Sequence, residues 1–191
     1  MSYLLNAVAF LLGLAFDVVV ALLVVRVMAE ASRADFHNPL SQVIYRYTNP
    51  VLVPLRRFIP NWRRINLTAL LLAWLALVLK RLLLFALGGV LPQISGLLLL
   101  ALADLLDFVL LVYIVLVFAW ALLSMFAADR RQPLLRLMES LVAPLLRPLR
   151  GKLIAGSIDF APMAILIGLF LARMLLTAPL LDLGTRLAVG G

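Results

Sequence analysis

Asp17, Arg26, Lys80, Arg81, Asp104, Asp107 and Arg173 each stand inside a long apolar run of the chain. Ionisable groups in hydrocarbon are costly, and they pair with one another or line a pathway. Asp104 and Asp107 are three apart and therefore share one face of a helix. Two chemistries suit them. One is a salt-bridge cluster with Lys80 and Arg173 that locks helices together; the other is an acidic lining for cation passage. In a third arrangement Lys80, Arg81 and Arg173 snorkel outward along their own stems. Asp17 lies nine residues before Arg26, outside the three- or four-residue spacing at which side chains on one helix meet. Its partner stays open between another chain, Tyr113 and Ser124.

Other chemistries lack their parts. The chain has no cysteine and a single histidine, His37, which excludes a disulfide framework, a thiolate metal site and a two-histidine haem site within one chain. G-x-x-x-x-G-K-[ST], G-x-S-x-G and H-E-x-x-H do not occur. Asp35-x-His37 has no placed nucleophile and is read as an interfacial pair. Met125, Met138, Met163 and Met174 are scattered apolar filler and not a ligand set. We expect no catalytic residue, metal or cofactor, and no enzyme activity.

The elements that hold these charges follow from composition. Of 191 residues 65% are hydrophobic and 14% charged, against roughly 45–50% apolar in soluble chains. A globule of this size has too little interior for that much apolar side chain, so lipid must solvate most of it. A spanning helix needs about 20 mainly apolar residues. Four runs qualify: Tyr3–Ala29, Ile65–Val90, Leu97–Ala128 and Ile158–Leu183. The first lacks a basic leader and a small-residue cleavage site, and is expected to be a retained span and not a signal peptide. Leu91–Gly96 is a short turn. At about 1.5 Å per residue in a core about 30 Å thick, Asp104 and Asp107 lie roughly 10–15 Å from the outer surface, and Lys80 and Arg173 roughly 8–9 Å from it.

The formal charge is +8, and twelve of the seventeen basic residues fall in two linkers. These are Arg33, Arg46, Arg56, Arg57, Arg63 and Arg64, then Arg130, Arg131, Arg136, Arg147, Arg150 and Lys152. Both linkers lie on one side, after the first and third spans. Positive-inside bias puts them in the cytoplasm, and both termini outside. No aromatic-interleaved basic groove accompanies the charge, so nucleic acid is not expected as a partner. Leu40, Val43, Ile44, Tyr47, Val51 and Leu55, and again Leu134, Met138, Leu141, Leu145 and Leu149, recur at helical spacing. Such segments are expected to be amphipathic helices in the interface, apolar face down, the alternative being a soluble loop that folds onto the span ends. Each linker is expected to form two short helices bent at its middle proline. Arg56, Arg57, Arg63, Arg64, Arg147, Arg150 and Lys152 are the expected contacts to anionic headgroups.

A shift of 94 positions places Pro39, Pro50 and Pro54 on Pro133, Pro144 and Pro148, and Leu40, Leu55 and Arg56 on Leu134, Leu149 and Arg150. A shift of 93 places Ile65-Asn66 on Ile158-Asp159 and Lys80 on Arg173. The unit is span, basic proline-containing linker, span, over residues 1–92 and again over 93–191. Each unit crosses twice, so the copies are parallel, related about an axis along the membrane normal. The fold class is all-α: a polytopic membrane protein of four transmembrane helices from two tandem repeats, each with an interfacial amphipathic helix.

Arg26-Val-Met-Ala, Asn38-Pro39-Leu40 and the block Tyr45 to Pro60, with Pro50-Val51-Leu52-Val53-Pro54-Leu55-Arg56-Arg57 at its centre, resemble the YggT (YlmG-like) family of small integral membrane proteins. In the second copy Pro144-Leu145-Leu146-Arg147-Pro148-Leu149-Arg150 and Ile158-Asp159-Phe160-Ala161-Pro162 carry the resemblance. Gln132, Asn66-Leu67-Thr68-Ala69 and Trp120 depart from it: the first copy keeps Arg26, and the second keeps the D-x-x-P element. The resemblance implies a bacterial inner membrane or plastid membrane. It also implies roles in envelope or osmotic stress tolerance, cell division or nucleoid distribution, and assembly of membrane complexes. The expected function is a non-enzymatic assembly or scaffolding factor, with anionic lipids and other membrane proteins or a second copy as partners. The alternative is a small oligomeric ion channel or transporter.

Overall fold

Asparagine and proline set where the helices begin. The computed structural model describes residues 2–35, 37–57, 59, 61, 65–125, 132–149, 151–155 and 158–190. Its helices are α1 (Ser2–Ser32), α2 (Pro39–Leu55), α3 (Leu67–Leu87), α4 (Ile94–Met125), α5 (Pro133–Leu146), α6 (Ala161–Ala172) and α7 (Ala178–Val189). Asn38 Oδ1 accepts the Leu40 N–H in front of Pro39, and Asn66 Oδ1 accepts the Ala69 N–H at the head of α3. Asp159 Oδ1 does the same for the Ala161 N–H at the head of α6. Each supplies an acceptor to an amide that a helix start leaves unpaired. At the far end of α1, Arg33 turns left-handed (φ 55) and the Ala34 N–H closes on the Ala29 carbonyl. Ile154–Ala155 and Ile158–Asp159 form a two-residue antiparallel ribbon before α6.

Four stretches among the described residues are long and apolar enough to cross a bilayer: Tyr3–Ser32, Leu67–Leu87, Ile94–Ser124 and Ala161–Val189. The fourth is α6 and α7 joined by a π turn, Arg173–Thr177. Pro179 causes it. Having no N–H, it cannot bond the Leu175 carbonyl, and its ring crowds that carbonyl. The chain widens by one residue instead, and the Ala178 N–H reaches back to the Arg173 carbonyl.

The spans pack in the order α1, α3, α4, α6–α7. Val20, Val24, Met28, Leu77, Ala101 and Leu105 form the core between the first three, and Ile114, Val117, Ile165 and Leu169 the core between α4 and α6. At one end α4 and α7 touch backbone to backbone: a Cβ on Gly96 would fall 2.1 Å from the Ala188 nitrogen. The Gln93 N–H, in the turn between α3 and α4, donates to the Ala188 carbonyl there. At the other end lie both linker helices. Their starts are tied together, since Asn38 Nδ2 donates to the Pro133 carbonyl at 2.6 Å.

The linkers correct the expected bend. α2 runs unbroken through Pro50 and Pro54, and α5 through Pro144. All three prolines project from the exposed side, so each removes one hydrogen bond without driving its ring into a packed neighbour. The two helices also bury matching positions with different chemistry. Ser41, Thr48 and Leu52 of α2 are buried, and their equivalents 94 positions on are Leu135, Val142 and Leu146 of α5, also buried. α2 therefore packs through a largely polar face and leaves Val43, Tyr47 and Val51 exposed, whereas α5 turns its apolar face, with Leu137 and Leu141, into the protein. For α5 this differs from the expected helix with its apolar face down on lipid.

Candidate functional site: charges within and at the end of the spans

Among the described residues, three ion pairs join the four spans in series. Lys80 Nζ of α3 donates to Asp17 Oδ1 of α1 at 2.6 Å. Arg81, the next residue, donates through Nε and Nη2 to both oxygens of Asp104 on α4, each at 2.6 Å. Arg173, in the π turn of the fourth span, donates through Nε and Nη2 to Asp107 Oδ1 and Oδ2 at 2.7 and 2.8 Å. Thr177 Oγ1 lies 3.0 Å from Asp107 Oδ1 and 2.7 Å from the Arg173 carbonyl, and its single proton serves one of the two. The two-pronged arginine contacts match the planar fork of the guanidinium to the carboxylate.

This geometry revises the expected cluster of Lys80, Asp104, Asp107 and Arg173. Asp107 and Arg173 do meet. Lys80 leaves the group for Asp17, and Arg81 takes its place on Asp104. Helix geometry is the reason. Adjacent residues point about 100° apart, so Lys80 and Arg81 address the helices on either side of α3. Asp104 and Asp107, three apart, diverge by about 60°, enough for one to face α3 and the other the fourth span. Lys80, Arg81 and Arg173 are bonded and do not snorkel. Asp17 meets neither Tyr113 nor Ser124.

The repeat explains two of the three pairs. Lys80 and Arg173 are equivalent positions, and each holds its own repeat's second span to the first. The carboxylate differs by one turn: Asp107 is equivalent to Gly13, which faces the Lys80 stem with Cε 3.9 Å from a built Cβ, and Asp17 stands four residues on. The pair Arg81–Asp104 crosses between repeats.

A second polar group sits where α1 meets α2. Arg26 is buried, 2% exposed. Its Nε donates to Glu30 Oε1 at 2.7 Å, its Nη2 to Asn49 Oδ1 at 3.1 Å, and its guanidinium carbon lies 3.3 Å from the centre of the Tyr45 ring. Arg56 Nη2 donates to the same Glu30 oxygen at 2.7 Å. A charge on a ring face is attracted by its quadrupole. Burial raises the Tyr45 phenol above its usual pKa, against the attraction of Arg26. One glutamate thus binds an arginine from the span and one from the end of the linker helix, holding α2 against α1. Arg56 was expected on lipid headgroups, and Arg26, expected as a charge inside the first span, had no assigned partner. The available signal was Glu30, four residues after Arg26, the spacing at which a helix pairs opposite charges.

Of the other expected headgroup contacts, Arg57, Arg147 and Lys152 are exposed at the linker end. Arg63, Arg64 and Arg150 lie outside the described residues, as does Pro60. Asp35 and His37 are exposed and form a local turn, with the His37 N–H donating to Asp35 Oδ1 at 2.9 Å. Among the repeat prolines, Pro39 and Pro133 open α2 and α5, Pro50, Pro54 and Pro144 lie inside those helices, and Pro148 falls in the turn after α5.

The chain is 33% identical over 192 residues to the uncharacterized protein YggT of Escherichia coli strain K12, an alignment that covers 97% of each chain. A model of the CCB3/YggT family matches residues 5–87 and 99–180. The chain belongs to the CCB3/YggT family. An uncharacterized protein encoded in the proC 3′ region of Vibrio alginolyticus is 34% identical over 176 residues, covering 90% of this chain and 94% of that one. An uncharacterized protein of Pseudomonas aeruginosa is 35% identical over 161 residues, covering 81% and 80%. No solved structure matches the chain.

The two segments matched by the CCB3/YggT model fall one in each tandem repeat. The copies are unequal at the linker. Arg26, Glu30 and Asn49 of the first correspond to Trp120, Ser124 and Ala143 of the second. Arg26, Glu30 and Asn49 therefore have no charged or amide counterpart at those positions of the second repeat, whose linker helix packs through the apolar Val142 and Leu146.

Proposed function

We propose that this CCB3/YggT protein is a non-enzymatic assembly or scaffolding factor of the inner membrane, acting in envelope or osmotic stress tolerance and cell division. Its linkers face the cytoplasm and both termini the opposite side. The observation that carries this reading is that Asp17, Glu30, Asp104 and Asp107 each hold a cation. Paired charges brace a bundle, whereas a cation path needs carboxylates free to exchange partners. Breaking such a pair from one side costs about 3–5 kcal/mol, so the spans behave as one body. The linker helices, joined through Asn38 and Pro133, form a platform on that body with Arg57, Arg147 and Lys152 exposed. These side chains contact anionic headgroups and present the platform to other membrane proteins.

The test is in-membrane crosslinking of the full chain against a variant carrying Arg57→Gln, Arg147→Gln and Lys152→Gln. Discrete crosslinked proteins that fall away in the variant are expected. An identical crosslinking pattern in both would overturn the platform role.

A further inference from the structure

Within the chain, the first repeat covers the linker helix of the second. α1 packs on α5, and Val24 and Met28 of α1 join Leu137 and Leu141 of α5 in one core cluster. Shifting each position by 94 gives the other half of the same contact. Val24 and Met28 become Phe118 and Leu122 of α4. In the opposite direction, Leu137 and Leu141 become Val43 and Tyr47 of α2. All four of these are exposed. Phe118 is 54% exposed where Val24 is 2%, and Tyr47 is 69% exposed where Leu141 is 1%. The chain thus buries one copy of the contact and leaves its two complementary surfaces open, one on each repeat. Beside Tyr47 an apolar groove of about 510 Å³ opens between α1, α2 and α3, lined in part by Val19, Leu23, Thr48, Val51 and Leu75.

We propose that a second copy of the chain covers this face, its α4 surface at Phe118 and Leu122 seated on the α2 surface at Val43 and Tyr47, in the manner of α1 on α5. The repeats are parallel, so the two copies share one membrane orientation without rearrangement. The surfaces differ on the two partners, which makes the contact heterologous: each copy still offers one free surface, and the assembly closes as a ring where the rotation permits. Helix association in lipid rests on van der Waals fit, which the bulky Phe118 and Leu122 and the open groove provide. Nothing in this contact depends on the scaffolding role.

The chain has no cysteine, so introduced thiols report without background. Two differently tagged full-length chains, one Tyr47→Cys and one Phe118→Cys, are co-expressed and treated in native membranes with a short bis-maleimide. A heterodimer carrying both tags is expected, several-fold above that from Tyr47→Cys with Ile167→Cys on the exposed side of α6. Both altered positions are exposed, and folding is checked by thermal unfolding. Native mass spectrometry from lipid nanodiscs is expected to show an oligomer in the parent protein and monomer in Phe118→Ser/Leu122→Ser. Crosslinking no greater than the control, with a monomer carrying phospholipid, would overturn the proposal and give the groove to lipid. An oligomer that survives Phe118→Ser/Leu122→Ser would overturn it as well.

Discussion

Lys80 and Arg81 stand side by side on α3, yet the first binds Asp17 on α1 and the second Asp104 on α4. With Arg173 on Asp107, this divergence makes an ion-pair series that follows the packing order of the spans. In lipid no water competes for these partners, and a carboxylate left alone is expensive.

Charge exchange separates the observed pairing from a loose cluster. Asp107→Arg and Arg173→Asp are each expected to lower stability by about 3 kcal/mol or more, and the double exchange to recover most of it. Asp104→Arg with Arg173→Asp should recover little, because Arg81 and Asp107 would then each face a like charge. Unfolding in mixed detergent micelles measures all of these.

The spans and the repeat were legible because both are local signals: an apolar run of twenty residues, or Pro39 and Pro133 at a constant shift. The partners were not. Which carboxylate Lys80 meets depends on which helix lies on which side of α3, and neither periodicity nor spacing contains neighbour order. The stripe Val43, Tyr47, Val51 was visible as a stripe, but that α2 would dock through Ser41 and Thr48 instead required knowing that Arg26 is buried beneath it. Pro179 stands inside the run Ile158–Leu183, but a proline there can kink, break or widen a helix, and its position in the sequence does not say which.

Alkaline pH probes the junction of α1 and α2. Burial raises the Tyr45 phenol above its ordinary value of 10.0, so the folded state holds that proton more tightly than the unfolded state. The sign follows from linkage: this contribution is fully present below about pH 10 and is lost as pH rises through the higher folded-state value. Tyr45→Phe removes the titration. Its thermal midpoint should therefore fall less between pH 9 and roughly pH 11 than that of the parent protein.

Two glycines should respond oppositely to alanine. At Gly96 the new methyl group would meet the Ala188 backbone, which no side-chain rotation can relieve. A loss of about 1–3 kcal/mol is expected. At Gly168, in α6, a Cβ meets nothing within 4 Å, and the substitution should stabilise by about 0.5–1 kcal/mol. Thermal unfolding of both variants checks the ranking.

The claim that the charges inside the spans brace the bundle and do not conduct is tested most directly by ion flux. Pure protein is reconstituted in liposomes, with insertion and orientation confirmed, beside an Asp104→Asn/Asp107→Asn variant. The expected result is no cation flux above empty liposomes from the parent protein, together with reduced thermal stability in the variant. Flux through the parent protein that disappears in the variant would contradict the account and make Asp104 and Asp107 the lining of a pathway.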